Sequence, residues 1–251
     1  MLLHCDGGHC DGVHCDGVYF DGVCFVWLPY GLLDKCAIDL YGDVVARMTP
    51  EERRAAIVDA TLVVMVRQGI AATTARDVAA EMGTSSGLIH HYFASMDDLL
   101  AEAFGQVASD DLARTVGALD ASADPVERLA IFFAFYNRAD EDMGMQLWLD
   151  AWAEAARRPA LQQTSRRLNE AWQALVAELL RDGARAGAMT CDEPDAVAWR
   201  IISLLDGLEL QAVAHAGLVA REDANTWARG YAEDELALER GVLRSTASPR
   251  R

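Results

Sequence analysis

The sequence predicts an all-α fold, because signatures of helix starts recur from Met48 onward and the apolar residues between them fall at helical spacing. Thr49-Pro50-Glu51-Glu52 combines a hydroxyl at the N-cap, a proline at the first helical position and a glutamate at N3. Asp124-Pro125-Val126-Glu127 is a second start with proline at the first helical position. From Asp124 to the end, no segment alternates apolar and polar residues as a half-buried strand does, so helices alone are expected there.

The first four predicted helices follow closely on one another. The first runs from Pro50 to about Gln68, where a glycine ends it. Thr74-Ala75-Arg76-Asp77 begins a short second helix, and Gly83 then turns the chain. A third helix covers Ser85 to Phe93, and Ser95-Met96-Asp97-Asp98 caps a fourth. Two short helices joined by a glycine turn, after a longer supporting helix, form a helix-turn-helix arrangement.

The third predicted helix has the composition of a helix that enters the major groove of DNA. Its first residues are small enough for close approach, and the serine hydroxyls can bind bases or phosphates; they are Ser85, Ser86 and Gly87. Ile89 and Phe93 form an apolar stripe toward the core, which leaves the polar tips of the neighbouring side chains facing outward. Those side chains are His90, His91 and Tyr92. Taken singly, the glycine of the turn also fits an ordinary helix cap, and the histidines fit a solvated helix face.

The net charge of -17 argues against strong attraction to nucleic acid, since duplex affinity rests largely on lysine and arginine neutralising phosphates. The segment from Met48 to Gly105 contains no lysine, and its arginines are Arg53, Arg54, Arg67 and Arg76. We therefore expect DNA binding to depend on hydroxyls, imidazoles and helix N-termini, with weak nonspecific binding and a shallow salt dependence.

Length and composition indicate a globular protein of a reducing compartment. The chain has 251 residues, of which 52% are hydrophobic, and its apolar runs are interrupted by charge before they could span a bilayer. Five of the six cysteines precede residue 37, which leaves Cys191 alone in the body of the chain. This usage differs from that of a disulfide scaffold, so we expect a cytoplasmic protein with no membrane partner.

The first 47 residues begin with a five-residue repeat, found at His4–Gly8, His9–Val13 and His14–Val18. Thiolate and imidazole are preferred ligands of zinc and copper, so one interpretation is a metal-binding or redox arm. In the other, the repeat reflects a repeat in the coding DNA, and translation begins at or near Met48. We favour the second interpretation and expect residues 1–47 to be a non-native or disordered extension.

Two segments, Thr73–Ala79 and Gly83–Phe93, resemble the DNA-binding domain of the TetR family of transcriptional regulators. Three words are similar to the BetI-like branch of that family, namely Gly87-Leu88-Ile89, His91-Tyr92-Phe93 and Asp98-Leu99-Leu100. Further words resemble the ligand-binding domain of the same branch, namely Leu147–Ala155, Arg158–Leu161 and Leu204–Gln211. The resemblance covers about Thr49 to Ala237.

The resemblance implies a role for each matching residue at the DNA. Thr74 would meet a phosphate at the start of the second helix, and Tyr92 would contact the DNA backbone. Base or backbone contacts would come from Thr84, Ser85, Ser86, Gly87, His90 and His91. Arg76, within the matched segment, completes the predicted DNA-binding set. The family usually has a lysine at the start of the fourth helix, where this chain has Met96, so one phosphate contact is missing.

We predict a helix-turn-helix DNA-binding domain over 48–105, a helical effector-binding and dimerisation domain over 106–243, and a disordered tail over 244–251. Breaks in the pattern divide the second domain into about five helices after the fourth. The last two would span about Pro194 to Ala216 and Glu222 to Gly241. The resemblance implies that these two pack against their copies in a homodimer, which binds a palindromic operator in double-stranded DNA.

Aromatic side chains of the second domain are candidates for a small-molecule pocket, since such sites are mostly apolar and aromatic. The candidates are Phe132, Phe133, Tyr136, Trp148, Trp152, Trp172, Trp199 and His215. Aromatic residues at helical spacing are also ordinary core residues, and that alternative applies to each. Asp142, Asp150 and Glu154 would suit a cationic effector through charge and cation–π attraction, or would form a solvated helix face.

Together these features predict a DNA-binding transcriptional regulator, a repressor that an unknown small-molecule effector releases from its operator. The alternatives are a metal-sensing or redox protein that uses the N-terminal repeats, and an all-α enzyme. The spacings typical of nucleotide-binding loops and zinc proteases do not occur in the sequence. We therefore expect no catalytic residues, no cofactor and no metal site.

Overall fold

The computed structural model describes residues 48–136, 142–215 and 217–244, except for the side chains of residues 142 and 143. It also describes the backbone of four short strands between residues 9 and 26. Met1–Arg47 and Met48–Arg251 form separate compact units. The helices of the second unit are α1 Pro50–Gln68, α2 Ala75–Glu81, α3 Ser86–Tyr92, α4 Met96–Leu119, α5 Pro125–Tyr136, α6 Asp142–Ala155, α7 Pro159–Arg185, α8 Pro194–Ala214 and α9 Arg221–Glu235. The prediction of an all-α body, with five helices after the fourth, is confirmed over the described part of that unit.

The repeat-containing segment contains strands, which the prediction of a disordered extension did not include. They form two antiparallel pairs, β1 His9–Cys10 with β2 Val13–His14, and β3 Gly17–Phe20 with β4 Val23–Val26. The residues between the paired strands are Asp11-Gly12 and Asp21-Gly22. Asp-Gly is a strong signal for a two-residue hairpin turn and could have predicted both pairs. The metal-binding arm hypothesis concerns side chains outside the described residues.

Helices α1 to α4 form most of a first core, to which α6 and α7 add buried leucine and alanine side chains. The capping box that the sequence predicts is present at α1, where the Thr49 hydroxyl accepts the Glu52 N–H at 3.2 Å and the Glu52 carboxylate accepts the Thr49 N–H at 2.7 Å. Ile89 and Phe93 point into this core and are almost completely buried, as predicted. The apolar stripe therefore fixes which side of α3 remains exposed.

Arg54 of α1 holds the C-terminal end of α3. Its Nη1 donates to the Tyr92 carbonyl oxygen at 2.9 Å, its guanidinium lies 4.1 Å from the centre of the Phe93 ring, and it forms an ion pair with Glu102 of α4. These contacts join three helices at one residue. Arg54 is thus committed to positioning α3, which the sequence alone did not show.

Helices α4 to α9 enclose a second core, and α4 belongs to both. The N-terminal half of α4 packs in the first core, whereas Leu119 at its C-terminal end packs in the second. Trp148 of α6 packs against both cores. Its ring meets Phe104 of α4 edge to face, with centroids 4.9 Å apart. The two cores are therefore in direct contact through α4 and α6.

The last helix is shorter than predicted. We expected it to reach Gly241, but α9 ends at Glu235, and the chain turns through Ala237 with a positive φ of 53°. The buried Glu233 carboxylate accepts the backbone N–H groups of Gly241 at 2.8 Å and Leu243 at 3.0 Å. This anchors a terminal segment whose Leu243 is fully buried.

None of the described helices is long and apolar enough to cross a membrane.

Candidate functional site

The exposed side of α3 carries most of the predicted DNA-binding residues. Their accessibility varies, with Ser85, Gly87, His90 and His91 exposed and Thr84, Ser86 and Tyr92 half-buried. Ser85 is the N-cap residue of α3, but its hydroxyl makes no capping hydrogen bond. The structure therefore brings these residues together on one surface, with the Ser85 hydroxyl not used by the cap.

Thr74 and Arg76 lie at the start of α2, and both are exposed. The Thr74 hydroxyl accepts the Asp77 N–H at 3.3 Å, and the Asp77 carboxylate accepts the Thr74 N–H at 3.0 Å. The hydrogen bond from the Thr74 hydroxyl is the main cause of the lowered pKa of Asp77. The capping box thus keeps a carboxylate beside Thr74, which opposes a phosphate at this position.

Within the described residues, Arg54 and Arg67 of the first domain form ion pairs with carboxylates. Arg54 forms the contacts described above, and Arg67 forms an ion pair with Glu81 at 2.6 Å. Arg76 forms no ion pair within the described ranges. The cationic charge available to DNA at this surface is therefore smaller than the arginine count suggests.

The second domain contains a cavity of about 60 Å³. Helices α4 to α9 all contribute to its lining, which consists of Asp111, Tyr136, Gly144, Met145, Trp148, Trp152, Asn169, Trp172, Asp206, Glu209 and Arg221. Four of the predicted ligand-binding residues are among them, namely Tyr136, Trp148, Trp152 and Trp172. The rings meet in pairs, Tyr136 with Trp172 at 5.6 Å and Trp148 with Trp152 at 5.5 Å between centroids.

The other predicted ligand-binding residues do not line this cavity. Phe132 and Phe133 are fully buried in the second core. Phe132 lies against Tyr136 with centroids 5.5 Å apart, so it supports the cavity wall from behind. Trp199 is 43% exposed on α8, and His215 is exposed just after that helix. Helical spacing alone did not distinguish the rings that line a cavity from those in the core or at the surface.

The acidic residues at the cavity also differ from those predicted. Asp150 is bound by Gln146 at 3.2 Å, and Glu154 is bound by Arg158 at 3.0 Å, and neither lines the cavity; the Asp142 side chain lies outside the described residues. The carboxylates that do line it are Asp111, Asp206 and Glu209. Asp206 and Glu209 are three residues apart within the mostly apolar stretch Ile201–Leu210 of α8, and two carboxylates on one face of that stretch were a signal that could have identified them.

One of these carboxylates, Asp206, has a raised pKa. Burial raises the pKa of Asp206 to about 6, although a hydrogen bond from the Tyr136 hydroxyl acts in the opposite direction. Burial, followed by the charge of Asp206, raises the pKa of Tyr136 well above its ordinary value. Tyr136 therefore remains a protonated donor, and Asp206 changes charge near pH 6.

Glu209 has a cationic partner. Its carboxylate accepts from Arg221 Nε at 3.1 Å, across the turn from α8 to α9. In the described part of the chain, no group of three or more histidine, cysteine, aspartate or glutamate side chains is arranged to hold a metal ion. The cavity thus offers aromatic faces and partly compensated negative charge.

Two family models match the chain. One, described as bacterial regulatory proteins of the tetR family, matches residues 57–103, and the other, described as the C-terminal domain of a BetI-type transcriptional repressor, matches residues 125–237. The HTH-type transcriptional regulator BetI of Paraburkholderia phymatum is 32% identical over 168 residues, which are 64% of this chain and 81% of that protein. The regulator of the same name from Rhizobium meliloti is 28% identical over 73% of this chain and 89% of that protein.

Solved structures show the same fold. A putative transcriptional regulator from Pseudomonas aeruginosa aligns with a TM-score of 0.67 and 26% identity, over 79% of this chain and 96% of the other. A putative transcriptional regulator from Saccharomonospora viridis, solved in complex with choline, aligns with a TM-score of 0.67 and 24% identity, over 74% of this chain and 98% of the other.

An exposed helix-turn-helix surface, joined by α4 to a helical domain with its own cavity, is the architecture of a DNA-binding transcriptional regulator. The chain belongs to the TetR family of these regulators, and its C-terminal domain is of the BetI type.

Proposed function

We propose that this regulator is a cytoplasmic repressor, that it binds a palindromic operator as a homodimer, and that a small organic cation releases it. The observation that supports the effector class is the cavity, where four aromatic rings and three carboxylates converge. Aromatic faces attract cations, and quaternary ammonium groups are typical ligands of such aromatic cages. The complex of the Saccharomonospora viridis regulator with choline supports the same class.

Helix α6 offers a route from the cavity to the DNA-binding domain. Trp148 lines the cavity and touches Phe104 of α4. At the end of α6, Arg158 binds Glu154 at 3.0 Å and Asp97 of α4 at 2.7 Å. A cation that prefers one position of Trp148 would therefore also shift α4, and with it α3. To shift the ratio of the DNA-releasing state to the DNA-binding state from 1:99 to 99:1, the cation must bind the releasing state more tightly by about 5.5 kcal/mol.

The proposal is tested by titrating choline into a complex of the full chain with DNA from upstream of its own gene, followed by electrophoretic mobility shift. We expect retention of the DNA and its release by choline. The matched control is 3,3-dimethyl-1-butanol, which has the shape of choline without the charge and should leave the complex intact. Absence of retention would refute DNA binding at that site, and equal release by both compounds would refute the cationic effector.

Exposed apolar side chains of α8, α9 and the segments beside them support the homodimer. They are Trp199, Leu210, Leu218, Trp227 and Val242, each at least 40% exposed. Large exposed apolar groups on neighbouring elements are typical of an interface between chains. The two-fold arrangement would place one α3 helix at each half of the operator.

Replacing Trp227 with aspartate is expected to weaken the dimer at least about 30-fold, since interface tryptophans commonly contribute 2 kcal/mol or more to binding. Sedimentation velocity at several concentrations measures the change. Val116→Asp provides the control, because Val116 is similarly exposed at 43% but lies on α4. Unchanged association of the Trp227 variant would place the dimer interface elsewhere.

Replacing Arg76 with alanine is expected to make operator binding less sensitive to salt. Each arginine that neutralises a phosphate contributes about 0.9 to the slope of log affinity against log salt, so the two copies in a dimer contribute about 1.8. Fluorescence anisotropy of labelled operator at several salt concentrations gives the slope. Arg166→Ala is the control, since exposed Arg166 on α7 is bound to Glu170 at 2.8 Å. An unchanged slope would show that Arg76 meets no phosphate.

A further inference from the structure

The Tyr136 hydroxyl donates to Asp206 Oδ1, which connects α5 with α8 at the cavity. The Tyr136 ring is held by Trp172 at 5.6 Å and by the buried Phe132 at 5.5 Å between centroids. Tyr136 is therefore fixed as a donor on one oxygen of Asp206. Within the described ranges, no further hydrogen bond and no ion pair to Asp206 is present.

The charged groups around the cavity differ in how they are compensated. Asp111 of α4 lies beside Arg114 at 3.2 Å, and Glu209 of α8 is bound by Arg221 of α9 at 3.1 Å. Helix α5 contributes the uncharged Tyr136. Helices α6 and α7 contribute the uncharged side chains Met145, Trp148, Trp152, Asn169 and Trp172. Among the described residues, Asp206 is thus the lining carboxylate that has a hydrogen-bond donor but no cation.

A partly buried carboxylate with one neutral donor retains unused acceptor capacity, because an ionised carboxylate can accept about four hydrogen bonds. A fully alkylated cation compensates the negative charge of such a carboxylate but cannot donate a hydrogen bond to it. A cation that carries a hydroxyl a few atoms from its nitrogen can place the charge against the rings and donate the hydroxyl to Asp206. Hydrogen bonds to charged groups are stronger than hydrogen bonds between neutral groups.

We infer that Asp206, oriented by Tyr136, is the specificity-determining residue of the cavity and selects organic cations that carry a hydrogen-bond donor over alkyl cations of the same size. This inference rests on the proposed function. It adds a requirement for polarity at one end of the effector to the requirement for positive charge at the other.

Isothermal titration calorimetry of the full-length chain at pH 7.5 tests the inference with choline and propyltrimethylammonium, which replaces the hydroxyl by a methyl group. We expect choline to bind at least about 10-fold more tightly, the lower end for a hydrogen bond to a charged group. In Asp206→Asn the preference should fall below about 3-fold. Asp111→Asn removes an equal charge from the same cavity and should keep the preference, even if both affinities fall.

The wild-type protein provides a second measurement that needs no variant. Burial raises the pKa of Asp206 to about 6, so the carboxylate is ionised above this pH and protonated below it. Choline affinity should therefore fall as the pH decreases from 7.5 to 5, and its preference over propyltrimethylammonium should shrink. Equal affinity of the two cations, or a preference that survives in Asp206→Asn, would overturn the inference while leaving the cationic effector in place. Failure of both cations to bind would refute the proposed effector class as well.

Discussion

Replacing Ser86 with glutamate is expected to weaken operator binding by at least about 30-fold, since an unfavourable contact at one position of a DNA site costs about 1–3 kcal/mol and a dimer contains two such positions. Ser86 is the first residue of α3, beside the exposed Ser85 and Gly87. A carboxylate there would face the phosphates and base edges that the small residues allow to approach. Fluorescence anisotropy with labelled operator measures the loss.

Two controls separate this effect from misfolding. Ser109→Glu introduces the same charge at a half-buried position of α4, away from α3, and should leave operator affinity within about 3-fold of the wild type. Ser86→Ala removes only a hydroxyl, so its effect should be smaller than that of glutamate. If Ser86→Glu still bound the operator with wild-type affinity, α3 would not be the helix that enters the groove.

Replacing Phe132 with alanine is expected to lower the free energy of unfolding by about 3–5 kcal/mol, the range for removal of a buried aromatic ring. Phe132 is fully buried and packs against Phe133, Tyr136 and Trp172. Urea unfolding followed by circular dichroism gives the change. The loss would also remove the support behind Tyr136, so choline affinity should decrease secondarily.

Val116→Ala is the matched control for stability, because Val116 is 43% exposed and its truncation should change the free energy of unfolding by less than about 0.5 kcal/mol. The decisive comparison is between stability and effector binding in Phe132→Ala. A variant that lost choline affinity but kept wild-type stability would contradict a core position and identify Phe132 as a ligand contact.

Local signals in the sequence predict much of this fold. The start of α1 follows from the capping box of Thr49 and Glu52, and the exposed face of α3 follows from the spacing of Ile89 and Phe93, because both depend on residues within one or two turns. The strands near the N-terminus were missed although their Asp-Gly signal is equally local. The end of α9 was missed because the segment after it is held by hydrogen bonds from Gly241 and Leu243 to the Glu233 side chain, and such contacts are not visible in a local pattern.

The cavity was predictable only in part. Phe132 and Tyr136 are four residues apart on α5, and helical spacing assigns both to the inward face. Whether an inward ring meets another side chain or an open space depends on the packing of helices distant in sequence. The same limit applies to Arg54, whose bond to Tyr92 joins residues 38 apart, and to Asp206, whose donor comes from α5.

The position of Trp148 gives this regulator an optical reporter of its own. Trp148 packs against both cores, and it lies with Trp152 and Trp172 at the cavity, so these three of the chain's six tryptophans surround the site. Indole emission changes with the polarity and charge around the ring. The arrival of an effector can therefore be followed in time by the emission of the unlabelled protein, independently of whether DNA is bound.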